Sequence, residues 1–290
     1  MQTGGFSLIA PLLGLLRLSR IPNLIIITLT QYLTAVFLFH LGDHVMDVLT
    51  DHRFFLLSLS TVMIAAAGYM INDYYDTKID YVNRPKKVIV GRILDRRLVL
   101  MLYNLFNSFG VLIGLYLSWQ IAAVHIFSSF LLWLHSNQLK RMPLLGNLVI
   151  GVLAGFSLLI VNIYYLEFNL LVVTYSFFAF FINVAREILK DLEAIKGEEK
   201  FGSQALPIVL GMRKTKKFVY FLITISAIGL TAFLWRVNNH TLIAYFILLI
   251  PFFGYFTILL IKADTQQKFA FLSDLINFIM ITGILSMLFF

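Results

Sequence analysis

The sequence predicts an all-α, polytopic membrane protein. It should have nine transmembrane helices around a central cavity, as two pseudo-repeats of four helices plus one, in a single domain over residues 1–290. Three observations predict this. The chain is 60% hydrophobic and only 13% charged, where a soluble protein carries about 25% charged residues. Apolar runs of about 18 residues or more recur from end to end, each long enough to cross the ~30 Å of hydrocarbon in a bilayer. Basic residues are concentrated in alternate connections, as the positive-inside rule expects of a multi-span chain.

The spans are expected near 21–41, 54–72, 98–118, 121–136, 144–166, 168–187, 218–236, 240–261 and 271–290. The fourth is short, and only Ser118–Gln120 separates it from the third. With the N-terminus in the cytoplasm, segments 1–20, 73–97, 137–143, 188–217 and 262–270, with the adjoining helix ends, lie on the cytoplasmic side. Of the 23 Lys and Arg residues, only Arg53 and Arg236 fall on the other side. This asymmetry predicts an integral protein of the cytoplasmic membrane with its long loops inside. It also accounts for the net charge of +8: the basic face meets anionic lipid headgroups, and no nucleic-acid partner is called for. Arg17 and Arg20 follow the first apolar stretch rather than precede it, so no cleavable signal peptide is expected. The chain contains no Cys, which excludes disulfides and thiolate metal sites.

The segment that organises the chain is Asn72 to Pro85, N-D-Y-Y-D-T-K-I-D-Y-V-N-R-P. On a helix, Asn72, Asp76 and Asp80 stand at i, i+4 and i+8 and line one face. Stacked carboxylates repel one another and are costly beside hydrocarbon. A hard cation relieves both problems, and Mg²⁺ prefers oxygen ligands and shares them with substrate phosphates. The plainer alternative is a polar helix end among solvated headgroups.

A second acidic stretch, Arg186 to Pro207, follows the sixth span as the first follows the second. Asp191 and Glu198 are two helical turns apart and share a face. The repeated layout suggests a duplication whose halves each bring one acidic cluster to a common cavity. Two acidic clusters with cations among them suit a diphosphate, held by Mg²⁺ on the carboxylates and by direct basic contacts. Lys140, Arg141, Arg84, Arg186 and Lys190 are the candidate cations. Asn23, at the start of the first span, is a further polar group there, or equally a helix-packing hydrogen bond.

These stretches resemble the UbiA superfamily of intramembrane prenyltransferases. N-D-Y-Y-D-T-K-I-D at 72–80 is similar to the first N-x-x-x-D-x-x-x-D motif of that family. R-E-I-L-K-D at 186–191 and G-S-Q-A-L-P-I-V-L-G at 202–211 resemble the surroundings of its second motif, and L-K-R-M-P-L-L-G-N at 139–147 resembles its diphosphate-binding lysine segment. The pattern looks most like the digeranylgeranylglyceryl phosphate synthase-like branch. The resemblance implies Mg²⁺ as cofactor, with Asn72, Asp76 and Asp80 as ligands of one ion and Asp191 and Glu198 of another. It implies catalytic roles for Asp76, Asp191 and Lys140, and diphosphate contacts from Lys140, Arg84, Lys190 and Asn23. The reaction implied is transfer of a geranylgeranyl group from a prenyl diphosphate to a lipid-soluble acceptor such as geranylgeranylglycerol phosphate, by ionisation to an allylic cation. An aromatic quinone precursor or haem is the alternative acceptor.

Two positions depart from the family pattern. The second motif commonly reads D-x-x-D-x-x-x-D, whereas this chain has Asp191, Ala194 and Glu198. Many members carry Tyr where this chain has His135. The missing acid predicts a second site short of one ligand, and Ala194→Asp is expected to lower its metal requirement. The rival from another class is a cation transporter, whose acids would lie near the midplane between broken helices. Here they lie at helix ends beside basic loops.

Overall fold

The structure, a computed structural model, describes residues 9–39, 43 and 45–290. The end of the first expected span, 40–41, and the start of the N-terminal segment, 1–8, lie outside the described residues. Among the described residues the fold is helical, without a β-strand. Its helices are α1 (Ile9–Leu18), α2 (Ile21–Leu33, continued by a π-helical turn Thr34–Phe39), α3 (Val45–Thr50), α4 (His52–Asn83), α5 (Arg96–Leu117), α6 (Trp119–Asn137), α7 (Leu145–Tyr165), α8 (Leu170–Lys200), α9 (Leu206–Leu210), α10 (Met212–Val237), α11 (His240–Lys262) and α12 (Gln266–Leu285).

Eight helices among the described residues are long and apolar enough to cross a membrane. The nine expected spans correspond to these eight and α6. That helix has 19 residues but falls outside the eight, because Gln120, His125, Ser128, Ser129, His135 and Ser136 dilute its apolar run.

The longest helices are α4, with 32 residues, and α8, with 31. A crossing needs about 20 residues. Each therefore continues for roughly three more turns past the expected span, and those extra turns carry the acidic stretches. The helix α4 stops where Pro85 disfavours helical backbone at Arg84, which has φ −146° and ψ 61°. The helix α8 stops at Gly202, whose φ of +69° suits a glycine just past a helix end.

Two compact units divide the chain, one comprising residues 1–28 and 55–137, the other 29–54 and 138–290. In the first, α4, α5 and α6 approach closely at small residues. A Cβ on Gly110 would lie 2.8 Å from the Ile64 side chain, and one on Gly114 would lie 2.7 Å from His125. Polar pairs reinforce the contact. Ser60 Oγ and His125 Nε2 are 2.8 Å apart, and Ser129 Oγ donates to Asn107 Oδ1 at 2.9 Å. Lipid offers no hydrophobic drive between helices, so close packing and such hydrogen bonds hold them. The link from α4 to α5 folds inward. Val88, Val90 and Leu94 are buried, and Leu18, Met70, Val90, Leu94 and Val99 form one core.

In the second unit α8 is central. Its Val184, Ala185, Ile188, Leu189 and Leu192 are buried against Leu206 of α9, Val219 and Leu222 of α10, Phe256 and Leu260 of α11, and Leu272, Ile276 and Ile279 of α12. At the other end of α8, Val172 and Tyr175 join Leu38, Leu158, Phe233, Leu242 and Met287. Asn169 begins α8, its side-chain oxygen accepting the Leu171 N–H at 2.9 Å. Near that end Asp51 accepts the Tyr164 hydroxyl at 2.7 Å and the Arg53 N–H at 2.8 Å. Partial burial pushes the Asp51 carboxyl up, but these hydrogen bonds outweigh it and hold the group below its usual range.

The helix α7 meets α8 through Gly151 and Gly155, spaced as small-xxx-small. A Cβ on Gly151 would stand 2.5 Å from Val184 Cγ2 and 3.0 Å from the Phe180 carbonyl oxygen. At Gly155 the nearest atom is 3.4 Å away, an ordinary contact. Gly151→Ala is therefore expected to destabilise the protein by about 1–3 kcal/mol, while Gly155→Ala is tolerated. Thermal unfolding in detergent followed by circular dichroism checks this. Equal melting temperatures for the two variants would contradict the close approach at Gly151.

Candidate active site

The first acidic cluster grows from the extra turns of α4. Asn72 and Asp76, one turn apart, meet directly: the Asn72 amide donates to Asp76 Oδ2 at 2.9 Å. Asp76 is only 6% exposed, whereas Asp80, one turn further, is half-buried. Asn72, Asp76 and Asp80 thus follow one helical face whose middle carboxylate is sunk deepest.

Asp73 lies off that face and does something else. Its Oδ1 accepts Arg20 Nη2 at 2.8 Å, and the Arg20 guanidinium also lies 4.9 Å from the centre of the Tyr69 ring. Asp73 so ties the α1–α2 turn to α4. Arg20 has φ +51° there, uncommon for a residue with a side chain. Asn23 is half-buried one turn on, its backbone N–H bonded to the Arg20 carbonyl at 2.8 Å. Arg84 is exposed just past α4, with its backbone N–H on the Asp80 carbonyl at 2.8 Å.

The second cluster grows from the extra turns of α8. Glu198 is 2% exposed, and Lys140 Nζ stands 3.9 Å from its Oε1. Its other oxygen, Oε2, is buried without a hydrogen-bond partner. Asp191 Oδ2 accepts the Asn147 amide at 2.7 Å. Lys190 donates to Glu187 in its own helix turn, which places its charge on a neighbouring acid.

Lys140 belongs to a short 3₁₀ turn, Leu139–Arg141. Two features seat that turn. A Cβ on Gly146 would lie 2.8 Å from Lys140 Cα, so only glycine admits the approach. The Gln204 N–H donates to the Arg141 carbonyl at 2.9 Å, which fastens the turn to the segment after α8. That segment is itself closed by the Ser203 N–H on the Glu198 carbonyl at 3.1 Å. The run 202–205 thus serves to position Lys140. His135 is buried near the end of α6.

Within each unit, then, the structure joins Asn72 with Asp76 and Lys140 with Glu198. The expected residues do not include Asn147, Gly146, Asp73 or Arg20 as structural partners. Their contacts bridge distant sequence: Asn147 and Asp191 are 44 residues apart, and Arg20 and Asp73 are 53 apart. Lys216 Nζ donates to the Ile261 and Ala263 carbonyls at 3.0 Å each, so it caps α11 rather than serving topology alone.

The donors suit a hard divalent cation. They are carboxylate and amide oxygens, with no sulfur. The buried, unpartnered Glu198 Oε2 needs positive charge near it. Among the described residues no three His, Asp or Glu side chains gather into one metal-binding group. Pairs suffice for Mg²⁺, which is bound through one or two carboxylates together with substrate phosphates.

The sequence pattern of the UbiA prenyltransferase family matches residues 24–280. A curated relative from Methanobrevibacter smithii, named digeranylgeranylglyceryl phosphate synthase, is 30% identical over 224 residues, covering 74% of this chain and 79% of its own length. One of the same name from Thermococcus gammatolerans is 36% identical over 160 residues, covering 55% of this chain. The match spans only 57% of that relative's length. A solved structure from work on digeranylgeranylglyceryl phosphate synthase in membranes superposes with a TM-score of 0.72 at 21% identity, covering 96% of this chain and 97% of its own. A UbiA homolog from Archaeoglobus fulgidus bound to DMAPP and Mg²⁺ gives 0.66 at 15% identity, covering 94% and 98%. At these identities the structural likeness establishes the fold.

Proposed function

The chain belongs to the UbiA prenyltransferase family, and we propose that it moves a geranylgeranyl group from its diphosphate to geranylgeranylglycerol phosphate. Its two units would work as one catalytic domain in the cytoplasmic membrane, with the N-terminus and the acidic loops in the cytoplasm. The distribution of Lys and Arg supports that orientation. The similarity to relatives named digeranylgeranylglyceryl phosphate synthase supports that acceptor.

The observation that carries the reading is Glu198. A carboxylate 2% exposed, with one oxygen toward Lys140 and the other without a partner, is costly unless a cation joins it. Asn72, Asp76 and Asp80 would hold one Mg²⁺, and Asp191 with Glu198 a second. When bound, the ions supply Lewis-acid neutralisation of the diphosphate. Lys140, fixed by Gly146 and by the Gln204 contact, supplies a positive charge to the same leaving group. Arg84, Lys190 and Asn23 are proposed as further diphosphate contacts. The allylic C–O bond breaks and the electron pair leaves with the diphosphate. The acceptor hydroxyl oxygen then forms the new C–O bond and gives up its proton to the released diphosphate. Preorganised charge of this kind acts on the transition state without reorganisation, and apolar helices keep water from the cation.

The test is a product analysis. Purified protein is incubated with geranylgeranyl diphosphate and Mg²⁺ alongside geranylgeranylglycerol phosphate, an aromatic quinone precursor or haem, and products are identified by mass spectrometry. The expected product is the doubly geranylgeranylated glycerol phosphate. Prenylation of the aromatic ring or of haem instead would reassign the acceptor.

A further inference from the structure

We propose that Asn147 is a positioning residue for Asp191, and that it stands in for the acid missing at Ala194. The inference rests on reading Asp191 and Glu198 as ligands of a magnesium ion. Asp191, Ala194 and Glu198 follow one another at i, i+3 and i+7 along one face of α8, and the middle position carries no side-chain oxygen. Across from them stands Asn147, in the first turn of α7 and 5% exposed. Its Nδ2 donates to Asp191 Oδ2 at 2.7 Å. A hydrogen bond to one carboxylate oxygen fixes the plane of the group and leaves the other oxygen aimed for a cation.

The register of that bond is built into α7. Gly151, one turn along, lets α7 approach α8 at Phe180 and Val184. Gly146, the residue before Asn147, admits the backbone of Lys140. The run 139–147 so grips the second motif at both ends, Lys140 on Glu198 and Asn147 on Asp191. A neutral amide is the right group for this task. It organises Asp191 as a partner would, without adding another negative charge beside the buried Glu198, where like charges raise the cost of ionisation. On this account the site is complete without an acid at 194, and Ala194→Asp brings a gain only when Asn147 is lost.

The experiment measures Mn²⁺ binding to the purified protein in detergent by electron paramagnetic resonance, with and without inorganic diphosphate. The proteins compared are wild type, Asn147→Leu, Ala194→Asp and the double variant. Leu keeps the branched heavy-atom skeleton of the side chain, in a somewhat larger volume, and removes the donor. Asn147→Leu is expected to weaken Mn²⁺ binding at one site by about tenfold to a hundredfold. Ala194→Asp should change little alone and restore most of the loss in the double variant. Asn147→Ser, a smaller polar residue, provides a second folded background should the Leu variant lose its melting transition. Unchanged Mn²⁺ binding in a folded Asn147 variant would overturn the positioning role. So would a loss that Ala194→Asp does not restore, since that marks a purely structural residue. Absence of Mn²⁺ binding by the wild type, even with diphosphate, would instead overturn the metal reading and this inference with it.

Discussion

Asp76→Ala is expected to reduce prenyl transfer by about 10²- to 10³-fold or more while leaving the fold intact. Asp76 is the middle residue of the α4 face and its most buried carboxylate. The Asn72 amide is its hydrogen-bond donor on the same helix, so one interaction fixes both predicted ligands. On the proposed mechanism, removing the carboxylate takes away charge that would hold the cation of the leaving diphosphate. The cost to stability is small by comparison. A buried carboxylate contributes little net stability and often detracts from it. Its helix is held elsewhere, by Met70, fully buried, and by the contacts at Gly68 and Gly110. Asp76→Asn keeps the shape and removes only the charge, and should lose as much activity as Asp76→Ala. Diphosphate release and thermal unfolding measured on both variants check the claim. Near-normal release by Asp76→Asn would mean that the charge on this face plays no part.

Lys140→Met should raise the KM for the prenyl diphosphate by about tenfold to a hundredfold, the worth of one hydrogen bond to a charged group. It should also cost stability, because Glu198 would remain buried without its cation. Two other lysines separate these effects. Lys216 caps α11 through the Ile261 and Ala263 carbonyls, so Lys216→Met is expected to lower the melting temperature with an unchanged KM. Lys217 is exposed, and Lys217→Met should change neither. Steady-state kinetics with the prenyl diphosphate varied, alongside melting curves, reads all three. Equal rises in KM for Lys140→Met and Lys217→Met would show that general basicity of this face, rather than Lys140, holds the diphosphate.

Lys216 shows what a basic run does not disclose. The run Arg213 to Lys217 reads as one basic patch, yet Lys216 reaches carbonyls more than forty residues away. Composition carries the sign of a loop but not the target of one side chain. The same limit applies to Asn147. An amide inside an apolar stretch has no period or charge pattern to single it out, and its partner Asp191 lies on another helix. What the sequence does carry is periodicity. Asn72 and Asp76 meet on the structure because residues four apart on a helix are neighbours. Asp191 and Glu198 share a face for the same reason. The apolar runs locate the crossings because backbone in hydrocarbon must satisfy its own hydrogen bonds. α6 is the marginal case, since polar residues used for packing, such as His125 against Ser60, weaken its apolar signal. The link 84–95 is another. Read as a basic loop, it buries Val88, Val90 and Leu94 and so belongs to the core of its unit.

The most direct measurement of the central claim follows diphosphate release from geranylgeranyl diphosphate by the purified protein in lipid vesicles, with geranylgeranylglycerol phosphate as acceptor, with and without Mg²⁺. The same vesicles are loaded with an ion-sensitive dye. One diphosphate should be released per prenyl group transferred, only when Mg²⁺ is present, with no protein-dependent ion flux. Ion flux that needs no prenyl diphosphate, without diphosphate release, would contradict the central claim and make the acidic helix ends part of a transport path.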